Sequence, residues 1–272
     1  MTYNFHTHTY LCGHANGNIE DYIETAIKGG IKHMGFSEHI PYICSDGYES
    51  DFRLQMSDIQ TYFSEIRWLR EKYRADIDIK IGFEIELYPL FFEETVKNAV
   101  EYGAEYLIQG QHFLDEEHPD GVHIITETKD TVVLKKYADN VIMGIKSGVI
   151  TYIAHPDMIN FVGEDKVFDE QVRRICVSSR EHNIPLEINC MGIRCNRNYP
   201  DPRFWKIAGE EKAPVVIGFD SHNFEDAFDK DSLKKAKGII ENCNLNYTGM
   251  PKLILLQERK NQNENNDKQY LG

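Results

Sequence analysis

No stretch of this 272-residue chain comes near the roughly 18 to 20 consecutive apolar residues that a membrane-spanning helix requires. The first residues, MTYNFHTHTY, carry neither a basic head nor an apolar run, so no secretory leader is expected and the expected compartment is the cytoplasm. A basic excess is also missing: 30 Lys and Arg stand against 44 Asp and Glu, a formal charge of −14. Nucleic-acid backbones are met by clustered Lys and Arg, so no nucleic-acid partner is expected. The six cysteines (Cys12, Cys44, Cys176, Cys190, Cys195, Cys243) contain no CxxC pair, which points to buried single thiols and away from disulfides or a zinc knuckle. No internal repeat or linker is present, and no serine or cysteine sits in a recognisable triad or nucleophile elbow. With 41% hydrophobic and 27% charged residues the composition is that of an ordinary globular protein, which excludes a disordered or collagen-like body.

Short apolar, β-rich runs alternate with segments of helical spacing. Seven candidate strands are Tyr3 to His6, Ile31 to Ser37, Ile77 to Glu86, Ala104 to Gln109, Val149 to His155, Pro185 to Asn189 and Val215 to Asp220. Helical spacing covers Ile19 to Lys28, with Asn18 as N-cap and Gly29 as stop, and Asp58 to Tyr73, which Ser57 can cap. Further helices are expected over Glu93 to Tyr102, Val132 to Lys146, Asp169 to His182 and Phe224 to Cys243. Such alternation implies parallel strands with crossover helices, and seven units favour a closed α/β barrel over an open sheet. The open alternative needs a phosphate-cradling glycine turn after its first strand, where this chain has His6-Thr7-His8. Pro41 to Met56 reads as a long loop over the barrel mouth, and the polar tail from 257 to 272 is expected to fray, leaving one domain over residues 1–256.

The histidines carry the strongest signal. His6 and His8 stand two apart at the end of the first strand, and a period of two puts both rings on one side of an extended chain. His14 follows in a short loop, Glu38-His39 and Glu84 end the next two strands, and His112 and His155 follow strands four and five. Asp220 and His222 end the seventh. In a (β/α) barrel all strand C-termini open on one face, so these side chains converge there. Nitrogen and carboxylate donors without a thiolate set suit Zn, Mn or Fe, and nine ligands exceed the needs of one cation, so two or three ions are expected. Clustered divalent cations suit phosphate-ester hydrolysis, because they acidify a water and neutralise phosphate oxygens.

These residues fall in blocks: HTHT at His6 to Thr9, CGH at Cys12 to His14, SEH at Ser37 to His39, GFE at Gly82 to Glu84, QHF at Gln111 to Phe113, AHPD at Ala154 to Asp157 and GFDSH at Gly218 to His222. In order and spacing the chain resembles the polymerase and histidinol phosphatase (PHP) superfamily, in particular its stand-alone histidinol-phosphatase branch, over about residues 1–256. The resemblance implies a distorted (β/α)7 barrel with a trinuclear metal site. It implies that His6, His8, Glu84 and Asp220 bind the first metal, that Glu84 bridges to a second held by His112 and His155, and that His14, His39 and His222 bind the third. Glu86, on the same strand face as Glu84, is the competing bridge.

The resemblance further implies an arginine on the substrate phosphate, for which Arg194 and then Arg197 are the candidates in the loop after strand six. Glu84, Asp220, His222 and Arg194 form the expected catalytic set, and Arg194 and Arg197 the substrate-binding set. Protonation of the leaving alkoxide falls to His222 or to a water. The chain departs from the branch at Asn160, where a basic residue is usual. The expected activity is a metal-dependent phosphomonoesterase acting on a small phosphorylated metabolite, with L-histidinol phosphate foremost and another small phosphate ester as the alternative. An amidohydrolase would carry a lysine at strand four, which AEYLIQGQHF lacks. A regulatory metal-binding protein without turnover would share the ligands, and only a turnover assay separates the two.

Overall fold

A computed structural model describes residues 1–256; the expected polar tail lies outside the described residues. Eight parallel strands run in chain order across one sheet: β1 (Tyr3–Asn4), β2 (His33–His39), β3 (Asp78–Ile85), β4 (Tyr106–Gln109), β5 (Ile150–Ile153), β6 (Leu186–Asn189), β7 (Pro214–Gly218) and β8 (Asn246–Tyr247). Between them lie α1 (Ile19–Lys28), α2 (Ile59–Lys72), α3 (Phe92–Tyr102), α4 (Thr131–Ser147), α5 (Asp165–His182), α6 (Cys190–Arg194), α7 (Pro202–Glu211) and α8 (Lys230–Asn242). Strands β3 to β7 are buried almost throughout, as a parallel sheet covered on both faces must be.

The sheet curls until its edges meet. Thr7, beyond β1, bridges Ser221, beyond β7, through His8 N donating to Ser221 O (3.0 Å) and Ser221 N donating to His6 O (3.3 Å). Below this bridge Phe219 N donates to Asn4 Oδ1 (3.4 Å), and β8 wedges in beside β7 with Tyr247 and Tyr3 joined through their hydroxyls at 3.2 Å. The distorted barrel expected from the sequence is therefore present, with an eighth strand added at its seam. That strand is two residues long, too short for a periodic signal.

Other departures have local causes. β1 stops at Asn4 and not at His6, because the Asn4 side chain takes the His6 N–H (3.2 Å) and gives Nδ2 to Thr7 Oγ1 (2.9 Å) in place of ladder bonds. Ser57, expected to cap α2, lies inside a 3-10 turn over Met56–Asp58. The single helix expected over Phe224 to Cys243 is two: a 3-10 turn at Phe224–Phe228 and then α8, split at Asp229, whose carboxylate accepts the Asp231 and Ser232 N–H groups. α7 adds a helix to those expected, with Asp201 as N-cap and Pro202 in its first turn as start signals.

The barrel interior holds Tyr3, Phe5, Tyr106, Ile108, Tyr152, Ala154 and Val216, all buried. Glycines opposite make the room. A Cβ on Gly35 would lie 2.2 Å from the Tyr106 hydroxyl and 2.7 Å from Phe5, and one on Gly82 would lie 2.5 Å from the Tyr106 ring. Gly35→Ala is therefore expected to destabilise the protein by about 1–3 kcal/mol, the usual cost of overpacking a filled core. Adding Tyr106→Phe, which removes the crowding hydroxyl, should recover part of it. Thermal unfolding of the two variants checks this, and an unchanged midpoint in Gly35→Ala would show that the interior is looser than the contacts imply.

Candidate active site

Above this plug the ends of the strands face one another. β2 and β3 run in register so that His39 is paired directly with Glu84. Glu84 then stands at the centre of the mouth. Its Oε2 is 3.4 Å from His6 Nε2, 3.3 Å from His8 Nε2 and 3.3 Å from His39 Nδ1, and its Oε1 is 3.0 Å from His155 Nε2 and 3.7 Å from His112 Nε2. Asp220 Oδ1 lies 3.5 Å from both His6 Nε2 and His8 Nε2 and 3.2 Å from His222 Nδ1. The rings of His14 and His222 stack at 4.7 Å, and those of His8 and His222 at 4.1 Å. His155 (φ 30°) and Asp220 (φ 50°) both adopt left-handed backbone that non-glycine residues rarely take, a strain found where a side chain must be aimed.

Glycine again supplies the space. A Cβ on Gly110, just past β4, would fall 1.6 Å from Glu84 Oε1. One on Gly218, at the end of β7, would fall 1.7 Å from Oε1 of Glu187. Glu187, on β6, also belongs to the site, although nothing in the sequence pattern sets it apart from other strand residues. Its Oε1 takes His6 Nδ1 (2.8 Å), and its Oε2 takes His155 N (3.2 Å) and Asn189 Nδ2 (2.9 Å). Glu38 does the same for His8, with Nδ1 at 3.1 Å, while also accepting Thr9 N, Thr9 Oγ1 and His39 N. Glu86 takes His112 Nδ1 (3.1 Å). A carboxylate only accepts, so each of these rings carries its proton on Nδ1 and turns the Nε2 lone pair to the centre. Glu86 is thereby drawn away from the role of competing bridge: its oxygens are taken by His112, Phe113 N, Arg53 and Tyr88.

Electrostatics sort the imidazoles into two kinds. Burial disfavours the charged ring at His6 and His8, yet Asp220, Glu187, Glu38 and Glu84 hold both well above the ordinary imidazole value. For His14 burial dominates and, with His222 and His8 nearby, pushes it down to about 4; His39 and His222 are lowered in the same way. The first pair sits in a field that calls for positive charge, and the second trio is neutral, as nitrogen ligands must be. Burial also pushes the Cys12 thiol up to about 12, which leaves it a neutral filler although it lies within reach of His8 and His222.

Cation binding fits these donors. Ligands about 2.0–2.2 Å from one tetrahedral ion stand about 3.4 Å apart, close to the 3.3–3.5 Å that separate His6 and His8 from Glu84 and Asp220, and His39 from Glu84, and long for strong hydrogen bonds. His6 Nε2, His8 Nε2, Glu84 Oε2, His155 Nδ1, Asp220 Oδ1 and His222 Nε2 are buried without a hydrogen-bond partner. Candidate ligand groups include His6 with His8 and Glu84, three of the four residues of the first implied set, and His14 with His39 and His222, the residues of the third. The remaining groups cross the expected division: His39 also groups with Glu84 and His112, and His155 with His6 and Asp220.

A cavity of about 310 Å³ opens on the cluster, and Arg197 lines it. Arg194 does not. It ends α6 and turns away from the mouth, with Nε 3.0 Å from Asp226 Oδ1, one NH group 3.2 Å from Asp229 Oδ2 and the other on the carbonyls of Asp220 (3.1 Å) and Phe219 (3.4 Å). The expected order of the two arginines is therefore reversed: the fork of Arg194 ties α6 to the turn before α8, and Arg197 faces the cavity beside Tyr199. Asn160 donates to Ile125 O (3.2 Å) and does not line the cavity. His123, to which the sequence attached no role, does line it, as do Phe52, Phe113 and Glu117. Of the loop aromatics, only Phe52 reaches the mouth, its ring 5.3 Å from His14, whereas Tyr42 is engaged by Glu116 and Tyr48 packs on His118.

Among known protein families, the PHP domain matches residues 4–190, well over half of the chain. The chain belongs to the PHP domain family. The PHP match ends before Asp220 and His222, so the last two donors come from the segment beyond it. A Bacillus subtilis protein named histidinol-phosphatase is 25% identical over 254 residues, covering 81% of this PHP chain and 93% of its own. A Lactococcus lactis histidinol phosphate phosphatase, whose crystal structure contains zinc, L-histidinol and phosphate, superposes with a TM-score of 0.67 at 19% identity, covering 90% of this chain and 95% of that one. Among the described residues, no helix is long and apolar enough to cross a membrane.

Two substitutions separate the carboxylates of β3. Glu84→Gln is expected to lower the metal content per chain, measured by elemental analysis, because five imidazoles stand within 3.7 Å of that carboxylate. Glu86→Gln is expected to keep more metal and to cost about 3–5 kcal/mol of stability, as when one partner of a buried ion pair is removed. Opposed by burial, Arg53 and His112 draw Glu86 down to about 2 from 4.5. The stability it contributes is thus full above pH 4.5 and lost as pH falls through about 2, and the Gln variant should lack this part of the acid transition. Equal metal loss in both variants would undo the distinction. Gly110→Ala should also shed metal, with little change in the circular dichroism of the fold.

Proposed function

We propose that this PHP domain is a metal-dependent phosphomonoesterase that converts L-histidinol phosphate and water to L-histidinol and phosphate, with residues 1–256 as one catalytic unit. The observation that carries the reading is the set of orphaned nitrogen and carboxylate donors opening on a cavity with an arginine at its wall. The choice of substrate rests on the named relatives, and on the charge of −14, which disfavours a nucleic-acid phosphodiester.

In this reading His6, His8, Glu84 and Asp220 hold one cation, Glu84 with His112 and His155 a second, and His14, His39 and His222 a third. Bound zinc, manganese or iron would supply an acidified water and neutralise the charge of the ester phosphate. The chain supplies aim. Glu187, Glu38 and Glu86 fix the proton of His6, His8 and His112 on Nδ1, Glu84 and Asp220 set the spacing of the donors, and His222 closes the ring next to Asp220. Arg197 offers paired N–H donors to the phosphate oxygens from the cavity wall, a geometry that lysine cannot reproduce.

Chelation should abolish phosphate release from L-histidinol phosphate, and Zn²⁺, Mn²⁺ or Fe²⁺ should restore it; full activity in metal-free protein would overturn the reading. Arg197→Ala should retain metal and fold and lose about 2–4 kcal/mol of transition-state stabilisation, roughly thirtyfold to thousandfold in kcat/KM. Arg194→Ala should instead lower the unfolding midpoint, since it strips Asp226 and Asp229 of their partner. An Arg197→Ala enzyme with wild-type kcat/KM would leave phosphate binding to the metals alone.

A further inference from the structure

A buried guanidinium lies between two carboxylates, one of which lines the cavity. The buried Arg53 pairs through NH2 with Glu86 and through Nε with Glu117 Oε2 at 2.6 Å, so a single guanidinium serves two negative charges. The two acids are unequally satisfied. Glu86 accepts from His112 N (2.9 Å), His112 Nδ1 (3.1 Å), Phe113 N (3.2 Å), Tyr88 and Arg53. Glu117 has only Arg53 and the Ser50 hydroxyl, and its side chain, 12% exposed, lines the cavity. An ionised carboxylate offers about four acceptor sites, so Glu117 keeps room for another donor. The surplus negative charge of the Glu86, Arg53 and Glu117 group therefore faces the cavity at Glu117.

This is an unexpected charge to find in a cleft read as a phosphate site. A dianionic ester with a neutral organic part gains nothing from it and is repelled by it. An ester whose organic part carries an ammonium is matched at both ends, with phosphate toward Arg197 and the donors, and ammonium toward Glu117. Phe52 and Phe113 line the same cavity, and aromatic rings attract a cation. Resting on the phosphomonoesterase reading, we propose that Glu117 binds the ammonium group of an aminoalkyl phosphate and thereby sets the selectivity of the site for amine-bearing esters over amine-free ones. L-Histidinol phosphate, with its amine on the carbon next to the ester-bearing carbon, is such a compound. An added carboxylate on the same carbon, as in an amino-acid phosphate, would meet Glu117 with like charge and be disfavoured.

The test compares L-histidinol phosphate with its deaminated analogue. Wild-type protein should prefer the amine in kcat/KM by roughly ten- to hundredfold, the worth of one charge-assisted hydrogen bond. In Glu117→Gln, whose amide oxygen can still accept from Ser50, that preference should fall at least tenfold, chiefly through KM. Glu117→Asp, which keeps the charge, should retain more of the preference. A calorimetric titration of metal-loaded protein with L-histidinol needs no turnover, so at least tenfold weaker binding by Glu117→Gln supports the assignment even if no ester is hydrolysed. Wild-type protein without amine preference, or equal L-histidinol affinity in wild type and Glu117→Gln, overturns it.

Discussion

A single carboxylate, Glu84, is buried at the mouth of the barrel, and the rest of the site is arranged around the cost of keeping it there. An isolated carboxylate out of water is strongly disfavoured. Glu84 is nevertheless held ionised, because burial, which opposes it, is outweighed by His6, His39, His112 and His155 around it. Each of those rings arrives from a different strand end, so the register of β2 on β3 and the seam between Thr7 and Ser221 are conditions for the cluster as much as for the fold. The outer ring of Glu38, Glu86 and Glu187 then sets which nitrogen His8, His112 and His6 turn inward. Remove Glu84 and those three rings keep their orientation but lose the carboxylate that they share.

The sequence made the inner layer legible because its signals are local. HTHT, SEH, GFE, AHPD and GFDSH each place a donor at the end of an apolar run, and strand periodicity says which way it points. What stayed hidden depends on contacts between distant segments. Glu187 reads as one more acid in a buried strand until His6 is set against it from the other end of the chain. The resemblance points to Arg194 in the loop after strand six as a phosphate ligand, but whether an arginine fork points into a cleft or toward Asp226 and Asp229 is decided by the short helix α6 and the break before α8. The two-residue β8 is defined by its partner β7 alone.

The cavity is also charged in a way that composition conceals. The overall charge of −14 hides that groups of both signs line the mouth. Arg197 lines it, and so does Glu117, through which the Arg53 group presents its surplus charge. Low-dielectric walls make such separated charges act more strongly than they would on an open surface, so selectivity can reside in few side chains.

The seam joining Thr7 to Ser221 has a consequence for how the protein is made. His6, His8 and Glu84 leave the ribosome early, while Asp220 and His222 follow only after most of the β/α units, a delay of roughly ten seconds or more at ordinary synthesis rates. Until then the nascent chain carries an incomplete set of donors on an unclosed sheet, and no order of local folding can complete it sooner. Closure of the barrel and completion of the donor set are the same late event, so a chain released before the segment from Asp220 to His222 is neither a closed fold nor a full metal site.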